Sequence, residues 1–318
     1  MINSVRHANN IIVLNRVLEI SQENRYVSLN RGFAVIKEKD TVIGSVPLDD
    51  IAVMLISAQS VTITKNVLNA LAEKGCVTVL CGKNYIPMSM VIPEYSHYLF
   101  AKILKGQINA SLPFKKRVWQ QIVIRKIQNQ AIALRVCGKN DESEVIDKIS
   151  VSVDSGDTSN REGYAAKMYF KFLFGEKFCR DREEEGVNSL LNYGYAIMRA
   201  AMARAVCSSG LLPALGIHHE NNLNQFCLVD DLFEIYRAMV DCVVYKLVQD
   251  GESEVTPAVK KILAKLLNAR IMTVEGVSTV VKSMRYYAMS FVKALEYKKP
   301  VIELPVWEGD EYGITILE

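Results

Sequence analysis

The stretch that organises this chain, residues 216–237, reads Gly-Ile-His-His-Glu-Asn-Asn-Leu-Asn-Gln-Phe-Cys-Leu-Val-Asp-Asp-Leu-Phe-Glu-Ile-Tyr-Arg. Its second half places apolar residues at spacings of three and four, which predicts a helix over 226–245. Residues three apart are neighbours on a helix surface, so Asp231 and Glu234 project to the same side. The helix therefore carries acidic side chains beside its apolar face.

That acidic stripe, which also includes Asp230 and Asp241, has two interpretations. Most such stripes are solvated helix faces, and the spacing alone does not exclude this. The alternative rests on the histidines, because two of the four in the chain, His218 and His219, precede the helix. An imidazole with carboxylates from other segments forms a mixed N/O site of the kind that binds Mn²⁺ or Mg²⁺. The HExxH spacing of zinc hydrolases does not occur.

Length and composition indicate the class of protein. The chain has 318 residues, of which 50% are hydrophobic, enough for a sizeable core in one large or two medium domains. A net charge of +3 is too small to indicate nucleic-acid binding by itself. The seven cysteines form no CxxC pair, which predicts reduced thiols in a cytoplasmic protein. No apolar run reaches the roughly 18 residues of a membrane span, so none is predicted.

Residues 1–93 are predicted to be rich in β-strands. Short apolar or alternating runs, separated by turn-forming residues, lie at 11–14, 17–20, 26–29, 33–36, 41–46, 51–56, 76–80 and 86–91. One helix is predicted after Thr64, which is a suitable N-cap. The pattern is typical of a small sandwich and indicates a scaffold or dimerisation domain without catalytic residues.

The periodicity changes after residue 93. Nearly all later segments fit helices, so residues 94–318 are predicted to form an α-helical domain. The fold class is therefore α+β, with an N-terminal β-sandwich-like domain followed by an all-α C-terminal domain. The last stretch, 298–318, contains Pro300 and Pro305 and is predicted to be partly extended.

The strongest charge asymmetry lies in residues 101–140, where there are basic residues and no Asp or Glu. The basic residues are Lys102, Lys105, Lys115, Lys116, Arg117, Arg125, Lys126, Arg135 and Lys139. This bias predicts an electropositive helical surface that binds the phosphates of DNA or RNA. The alternative is an ordinary surface balanced by the acidic residues that follow, such as Asp141 and Glu142.

Glu162 also has two interpretations. Asn160 can cap a helix that begins at Arg161, and an acidic residue in the first turn is favoured by the helix dipole. However, Ala165, Ala166 and Tyr169 follow at helical spacing, so the Glu162 carboxylate is predicted to point along the packed side. A buried carboxylate needs a partner, and a metal ion or a histidine would supply one.

Four motifs occur in a fixed order along the chain: RExxAAxxYF at 161–170, Asn-Tyr-Gly-Tyr-Ala-Ile-Met at 192–198, Gly-x-x-His at 216–219 and Asp-Leu-Phe-Glu at 231–234. Together they resemble the CRISPR-associated integrase, the larger of the two universal proteins that acquire new spacers. The β-rich first part and the helical second part match that family as well. Segments within 216–232 are most similar to the branch found with a single-protein RNA-guided effector nuclease, as in type II systems.

The resemblance implies a set of site residues. The metal-binding and catalytic residues of the family correspond to Glu162, His219 and Glu234, and the additional acidic residue of the family corresponds to Asp231. The family has its histidine three positions after the glycine, which selects His219 and leaves His218 as a neighbour. The basic residues expected to contact DNA are Lys102, Lys105, Lys115, Lys116, Arg117, Arg125 and Lys126.

The resemblance also implies a reaction and its partners. The 3′-hydroxyl of a protospacer strand would attack a backbone phosphate at the leader–repeat junction, with Mg²⁺ or Mn²⁺ as cofactor. A homodimer through the β-rich domain would join a small ferredoxin-like adaptation partner and double-stranded DNA, with the effector nuclease as a further expected partner. Two other functions stay open: a stand-alone metal-dependent DNA nuclease and a non-catalytic nucleic-acid-binding subunit.

Overall fold

Strands occupy the first part of the chain and helices most of the second, within the residues that the computed structural model describes, 16–93 and 99–309. The strands are β1 (Arg16–Ile20), β2 (Arg25–Asn30), β3 (Phe33–Glu38), β4 (Thr41–Pro47), β5 (Ile51–Ile56), β6 (Val61–Ile63), β7 (Val77–Cys81), β8 (Pro87–Val91), β9 (Arg270–Thr273) and β10 (Gly276–Thr279). The helices are α1 (Lys65–Glu73), α2 (Phe100–Ile108), α3 (Leu112–Val136), α4 (Asn140–Ser150), α5 (Arg161–Phe174), α6 (Val187–Ser208), α7 (Cys227–Phe233), α8 (Arg237–Gln249), α9 (Pro257–Lys265) and α10 (Val280–Tyr297).

Two four-stranded sheets form the first part. Their strand orders are β1-β5-β7-β8 and β4-β3-β2-β6. The β1–β5, β5–β7 and β2–β6 pairs are parallel, and the other pairs are antiparallel. Helix α1 begins after Thr64, as predicted, and lies in the connection between β6 and β7. The run predicted at 11–14 lies outside the described residues.

Strand β5 joins the two apolar cores because all six of its residues are buried. Met54 and Ile56 pack into the smaller core, which lies between the two sheets and α1. Val53 and Leu55 belong to the larger core, which continues into the helices. The sheet of β5 is therefore covered on both faces, which explains its near-continuous hydrophobic sequence.

Helix α6 is the central helix, and glycine allows its closest contact. A Cβ atom at Gly194 would overlap Cγ1 of Val240 on α8. The small residue thus lets the α6 and α8 backbones approach.

Gly194→Ala should lower the free energy of unfolding by about 1–3 kcal/mol, because the added methyl group overpacks this contact. Urea denaturation would measure it. Gly106→Ala is the matched control, since its Cβ would lie at an ordinary 3.6 Å from Cβ of Leu295. Val240→Ala should partly relieve the overlap, so the double variant should lose less than the sum of the two single losses. Equal losses for Gly194→Ala and Gly106→Ala would contradict this account.

The α+β class is confirmed, with one addition to the helical part. Strands β9 and β10 form an antiparallel hairpin, and Val306 of the extended tail pairs with Met272 of β9. The predicted extended stretch is thus observed as far as residue 309, and 310–318 lie outside the described residues. Strand β8 ends at Val91 and helix α2 begins at Phe100, on either side of the boundary predicted at 93, although the domain limits themselves stay a prediction.

Two predictions about composition can be compared with the structure. The cysteines are free thiols; the Sγ atoms of Cys137 and Cys242 lie 3.6 Å apart. Across 16–93 and 99–309, no helix combines the length and the apolar character needed to span a bilayer.

Candidate metal centre

Two carboxylates from separate helical segments meet at one ammonium group. Lys126 of α3 places its Nζ atom 2.5 Å from Oε1 of Glu162 and 2.6 Å from Oε2 of Glu234. Burial alone would lower the pKa of Lys126, but Glu234 and Glu162 outweigh it and raise that pKa. The ammonium is therefore held in its charged form.

The start of α5 fixes Glu162. Asn160 adopts a left-handed conformation, with φ of 51°, and its side chain accepts a hydrogen bond from the Gly163 N–H at 3.2 Å. The Asp157 carboxylate accepts from the N–H groups of Arg161 and Glu162, at 2.8 and 3.0 Å. The predicted cap at Asn160 is confirmed, and Glu162 leaves the first turn toward Lys126.

Glu234 lies in a short 3₁₀ turn, Glu234–Tyr236, between α7 and α8. The single helix predicted over 226–245 is wrong at this point. The side chain of Asn129 donates to the Ile235 carbonyl oxygen at 2.6 Å, so α3 contributes to holding this turn. This tertiary contact is invisible to local periodicity.

Glu234 is ionised although it is buried. Burial would raise its pKa, but the Arg237 guanidinium and the Lys126 ammonium outweigh burial and lower that pKa to about 2. Arg237 Nε lies 2.9 Å from Oε1 of Glu234. With Asp231 and Asp241 also buried, at 0% and 1% exposure, the interpretation of this stripe as a solvated face is wrong.

Asp231 holds His219 through hydrogen bonds to its backbone and its ring. Its carboxylate accepts from the N–H groups of Ile217, His218 and His219, at 2.6, 3.0 and 3.2 Å, and contacts Nδ1 of His219 at 2.5 Å. This hydrogen bond raises the pKa of His219, while burial opposes the shift. Because Nδ1 is engaged, His219 is left with Nε2 for a ligand, the arrangement by which carboxylates orient metal-binding histidines. Asp231 is therefore a positioning residue.

The turn before His219 requires a glycine. A Cβ atom at Gly216 would overlap the His219 carbonyl oxygen and lie 3.0 Å from Oδ2 of Asp231. The Gly-x-x-His spacing thus reflects a turn wrapped closely around the Asp231 carboxylate. Both imidazoles contact Trp119: the His218 ring stacks on it, with centroids 4.4 Å apart and an interplanar angle of 2°, and the His219 ring meets it edge-on, with centroids 5.6 Å apart.

The donor set fits a hard divalent cation. Glu162 and Glu234 offer carboxylate oxygens and His219 an imidazole nitrogen, which suits Mg²⁺ or Mn²⁺. Within 16–93 and 99–309, no three such donors yet converge at metal-binding distance. Lys126 Nζ stands between the two glutamates, so it would have to withdraw for all three donors to reach one ion.

The basic residues of α2 and α3 differ in exposure. Those with an exposed or half-buried side chain are Lys102, Lys105, Lys115, Lys116, Arg117, Arg125 and Arg135. Lys102 pairs with Glu296 at 2.6 Å, and burial lowers the pKa of Arg125. Lys126 is a correction to the predicted exposed surface, because its side chain is 10% exposed and lies inside the carboxylate site. Its basic sequence context gave no sign of this.

The fold is shared with proteins of known structure. A casposase bound to integration product matches with a TM-score of 0.74 and 18% identity, over 89% of this chain and 91% of that one. A CAS1 protein from Thermotoga maritima matches with a TM-score of 0.70 and 16% identity, over 88% of this chain and 97% of that one. At such identities the likeness shows the fold alone.

Sequence comparison identifies the family. Residues 18–283 match the family model described as CRISPR associated protein Cas1. The CRISPR-associated endonuclease Cas1 of Neisseria meningitidis serogroup C (strain 8013) is 42% identical over 229 residues, 71% of this chain and 75% of that protein. The chain belongs to the CRISPR-associated Cas1 family, which confirms the resemblance drawn from the four motifs.

Proposed function

We propose that this protein is the integrase of CRISPR adaptation, which inserts protospacer DNA at the leader–repeat junction by metal-dependent transesterification. The observation that carries the proposal is the meeting of Glu162 and Glu234, from separate helical segments, on either side of one cation position. His219 lies on the neighbouring turn, oriented by Asp231. Membership of the Cas1 family and the casposase-like fold support the same reaction class.

The chemistry needs no protein nucleophile. Glu162, Glu234 and His219 would hold the divalent cation, which when bound lowers the pKa of an attacking 3′-hydroxyl and offsets charge on the phosphoryl oxygens. Arg237 orients the Glu234 carboxylate through its 2.9 Å contact. Asp231 holds His219 in the tautomer that presents Nε2. If water replaces the 3′-hydroxyl, the same site hydrolyses DNA, as in the relatives named endonucleases.

The proposal includes several partners: double-stranded protospacer and leader–repeat DNA, a second copy through the sheet domain, and a small ferredoxin-like adaptation protein. A solved Cas6-RT-Cas1--Cas2 complex offers support, since one of its chains matches with a TM-score of 0.73 and 16% identity, over 93% of this chain and 36% of that chain. The effector nuclease and a cytoplasmic location belong to the same proposal.

Strand transfer distinguishes the candidate functions. A short duplex would be incubated with a supercoiled plasmid carrying a leader and repeat, with Mg²⁺ or Mn²⁺ and with or without the small partner. We expect joined product at the repeat that depends on the partner. Efficient cleavage of DNA lacking a repeat, without the partner and without joining, would instead favour the stand-alone nuclease. DNA binding without either product would favour the non-catalytic subunit.

The basic N-terminal part of α3 gives a prediction about DNA binding. Reversing Lys115, Lys116 and Arg117 to Glu should weaken duplex binding at least tenfold, about the effect of losing a few phosphate contacts, and should flatten its salt dependence. Lys261→Glu, an exposed reversal on α9, is a control for general charge. Fluorescence anisotropy at several salt concentrations would measure both quantities. Unchanged affinity in the triple variant would remove these residues from the DNA interface.

A further inference from the structure

A half-open pocket adjoins the metal centre, and its wall includes Glu234 and Asp241 as well as residues that the metal centre does not use. Arg180, Tyr195 and Gln130 contribute to its wall together with Arg237 and Lys126. The pocket has a volume of about 130 Å³. Since a water molecule occupies about 30 Å³, there is room for a group of several heavy atoms.

Buried amides hold Arg180 in this wall. Its guanidinium donates to Oδ1 of Asn188 at 2.8 Å and to Oδ1 of Asn192 at 2.6 Å. The same asparagines donate to the carbonyl oxygens of Cys179 and Arg182, at 3.1 and 2.8 Å. Helix α6 thus fixes the loop before it and aims one arginine into the pocket.

Positive charge accumulates in the pocket. The Arg180 and Arg237 guanidinium groups lie over the same Tyr195 ring, 5.4 and 5.0 Å from its centroid. No carboxylate of the described residues lies within ion-pair distance of Arg180, whose hydrogen bonds go to neutral oxygens. Two carboxylates also line the pocket: Glu234, which pairs with Arg237 and Lys126, and Asp241, which accepts from the hydroxyl groups of Tyr169 and Tyr195. The Arg180 guanidinium is therefore the charge in this wall that is open to an anionic ligand.

Gln130 supplies the second observation that indicates a ligand. Its side chain is 4% exposed, and its Oε1 atom has no hydrogen-bond partner among the described residues. A buried amide oxygen without a hydrogen-bond donor is unfavourable, and it is rare unless water or a ligand supplies the donor. Gln130 lies one helical turn from Lys126 on α3, on the side that borders the pocket.

We propose that this pocket binds one backbone phosphate of a DNA strand, next to the phosphate that reacts at the metal centre. A guanidinium group matches phosphate oxygens in geometry and charge, and the Gln130 amide can donate through Nε2 to a phosphate oxygen while its Oε1 accepts from a base N–H group of the same nucleotide. The inference rests on the proposed function, since it takes DNA as the ligand. Its role is to fix the register of the strand, with Arg180 as the principal contact.

The test is phosphate interference. Short single strands with a free 3′-hydroxyl, each with one phosphate replaced by an uncharged methylphosphonate, would be titrated without divalent cation so that no strand is cut. A second series would use the uninterrupted duplex. Proteins would be wild type, Arg180→Gln and Arg182→Gln, the last being a matched loss of charge at an exposed position in the same loop. Circular dichroism would verify folding.

We expect one methylphosphonate position to weaken wild-type binding about tenfold, the effect of one charge-assisted hydrogen bond, and to have no further effect in Arg180→Gln. Arg182→Gln should retain the position-specific loss. Interference confined to the duplex also supports the pocket and assigns the phosphate to the target DNA. Independent losses at every position, or equal behaviour of the two arginine variants, would overturn the proposal.

A replacement variant and a separate activity measurement complete the test. If Arg180→Gln does not fold, Gln130→Met replaces it, since methionine preserves the volume and removes the amide. Strand transfer by wild type is measured separately. Position-specific interference in a protein that neither joins nor cuts DNA would retain the phosphate pocket and reject the integrase. DNA joining without position-specific interference would retain the integrase and reject the phosphate pocket.

Discussion

Glu162→Gln and Glu234→Gln should each reduce metal-dependent joining and nicking by at least about a thousandfold, the upper range for losing one preorganised electrostatic contact. Each change removes a charged oxygen donor while preserving side-chain volume. In either variant Lys126 retains one carboxylate partner, so the fold should survive. Initial rates in Mn²⁺ would measure activity, and Mn²⁺ binding by electron paramagnetic resonance would report the loss of a ligand independently of turnover.

Glu176→Gln provides the control, because Glu176 follows the same helix, is exposed and pairs only with Lys171 among the described residues. It should have wild-type activity. The histidines add a discriminating comparison: His219→Ala should abolish activity and weaken Mn²⁺ binding, whereas His218→Ala, which loses the stack on Trp119, should retain metal affinity. The opposite pattern would assign the ligand to His218. Full activity in either glutamate variant would refute the metal centre as described.

Asp231→Ala should be the most destabilising single change near the site, lowering the free energy of unfolding by about 3–5 kcal/mol, as expected when one partner of a buried charged network is removed. Three backbone N–H groups and His219 Nδ1 lose their shared acceptor, and the 0% exposure of Asp231 leaves no water to replace it. Urea denaturation would measure the loss, with exposed Asp250→Asn as the control.

Asp231→Asn distinguishes the effect of Asp231 on protein stability from its effect on the His219 ring. The amide preserves volume and one acceptor oxygen, so it should destabilise less than alanine. It cannot act as a charged acceptor for Nδ1, so it should lower the pKa of His219, which the Asp231 hydrogen bond raises. Nuclear magnetic resonance titration of the imidazole would detect this. An Asp231→Ala variant as stable as wild type would mean that the turn holds itself without the carboxylate.

Local sequence patterns predicted the helices and strands of this fold better than they predicted the side-chain contacts between those elements. The runs at β2 to β5 and the cap at Asn160 depend on neighbours in sequence, and the structure has them. Lys126 was assigned to a basic surface because its neighbours are basic, whereas its true partners are 36 and 108 residues away on other segments. The 3₁₀ turn at Glu234 depends on Asn129 in the same way. Such pairings are set by packing, which periodicity does not encode.

The position of Lys126 has a consequence for how folding and metal binding are related in this protein. Zinc fingers remain unfolded until their ion binds, because metal binding supplies most of their folding free energy. Here Lys126 of α3 already pairs with Glu162 and Glu234, so the protein supplies a counter-ion of its own at the site. Chelation of the metal ion should therefore abolish activity without unfolding the protein. Metal binding then exchanges the Lys126 ammonium for a divalent cation between the two glutamates.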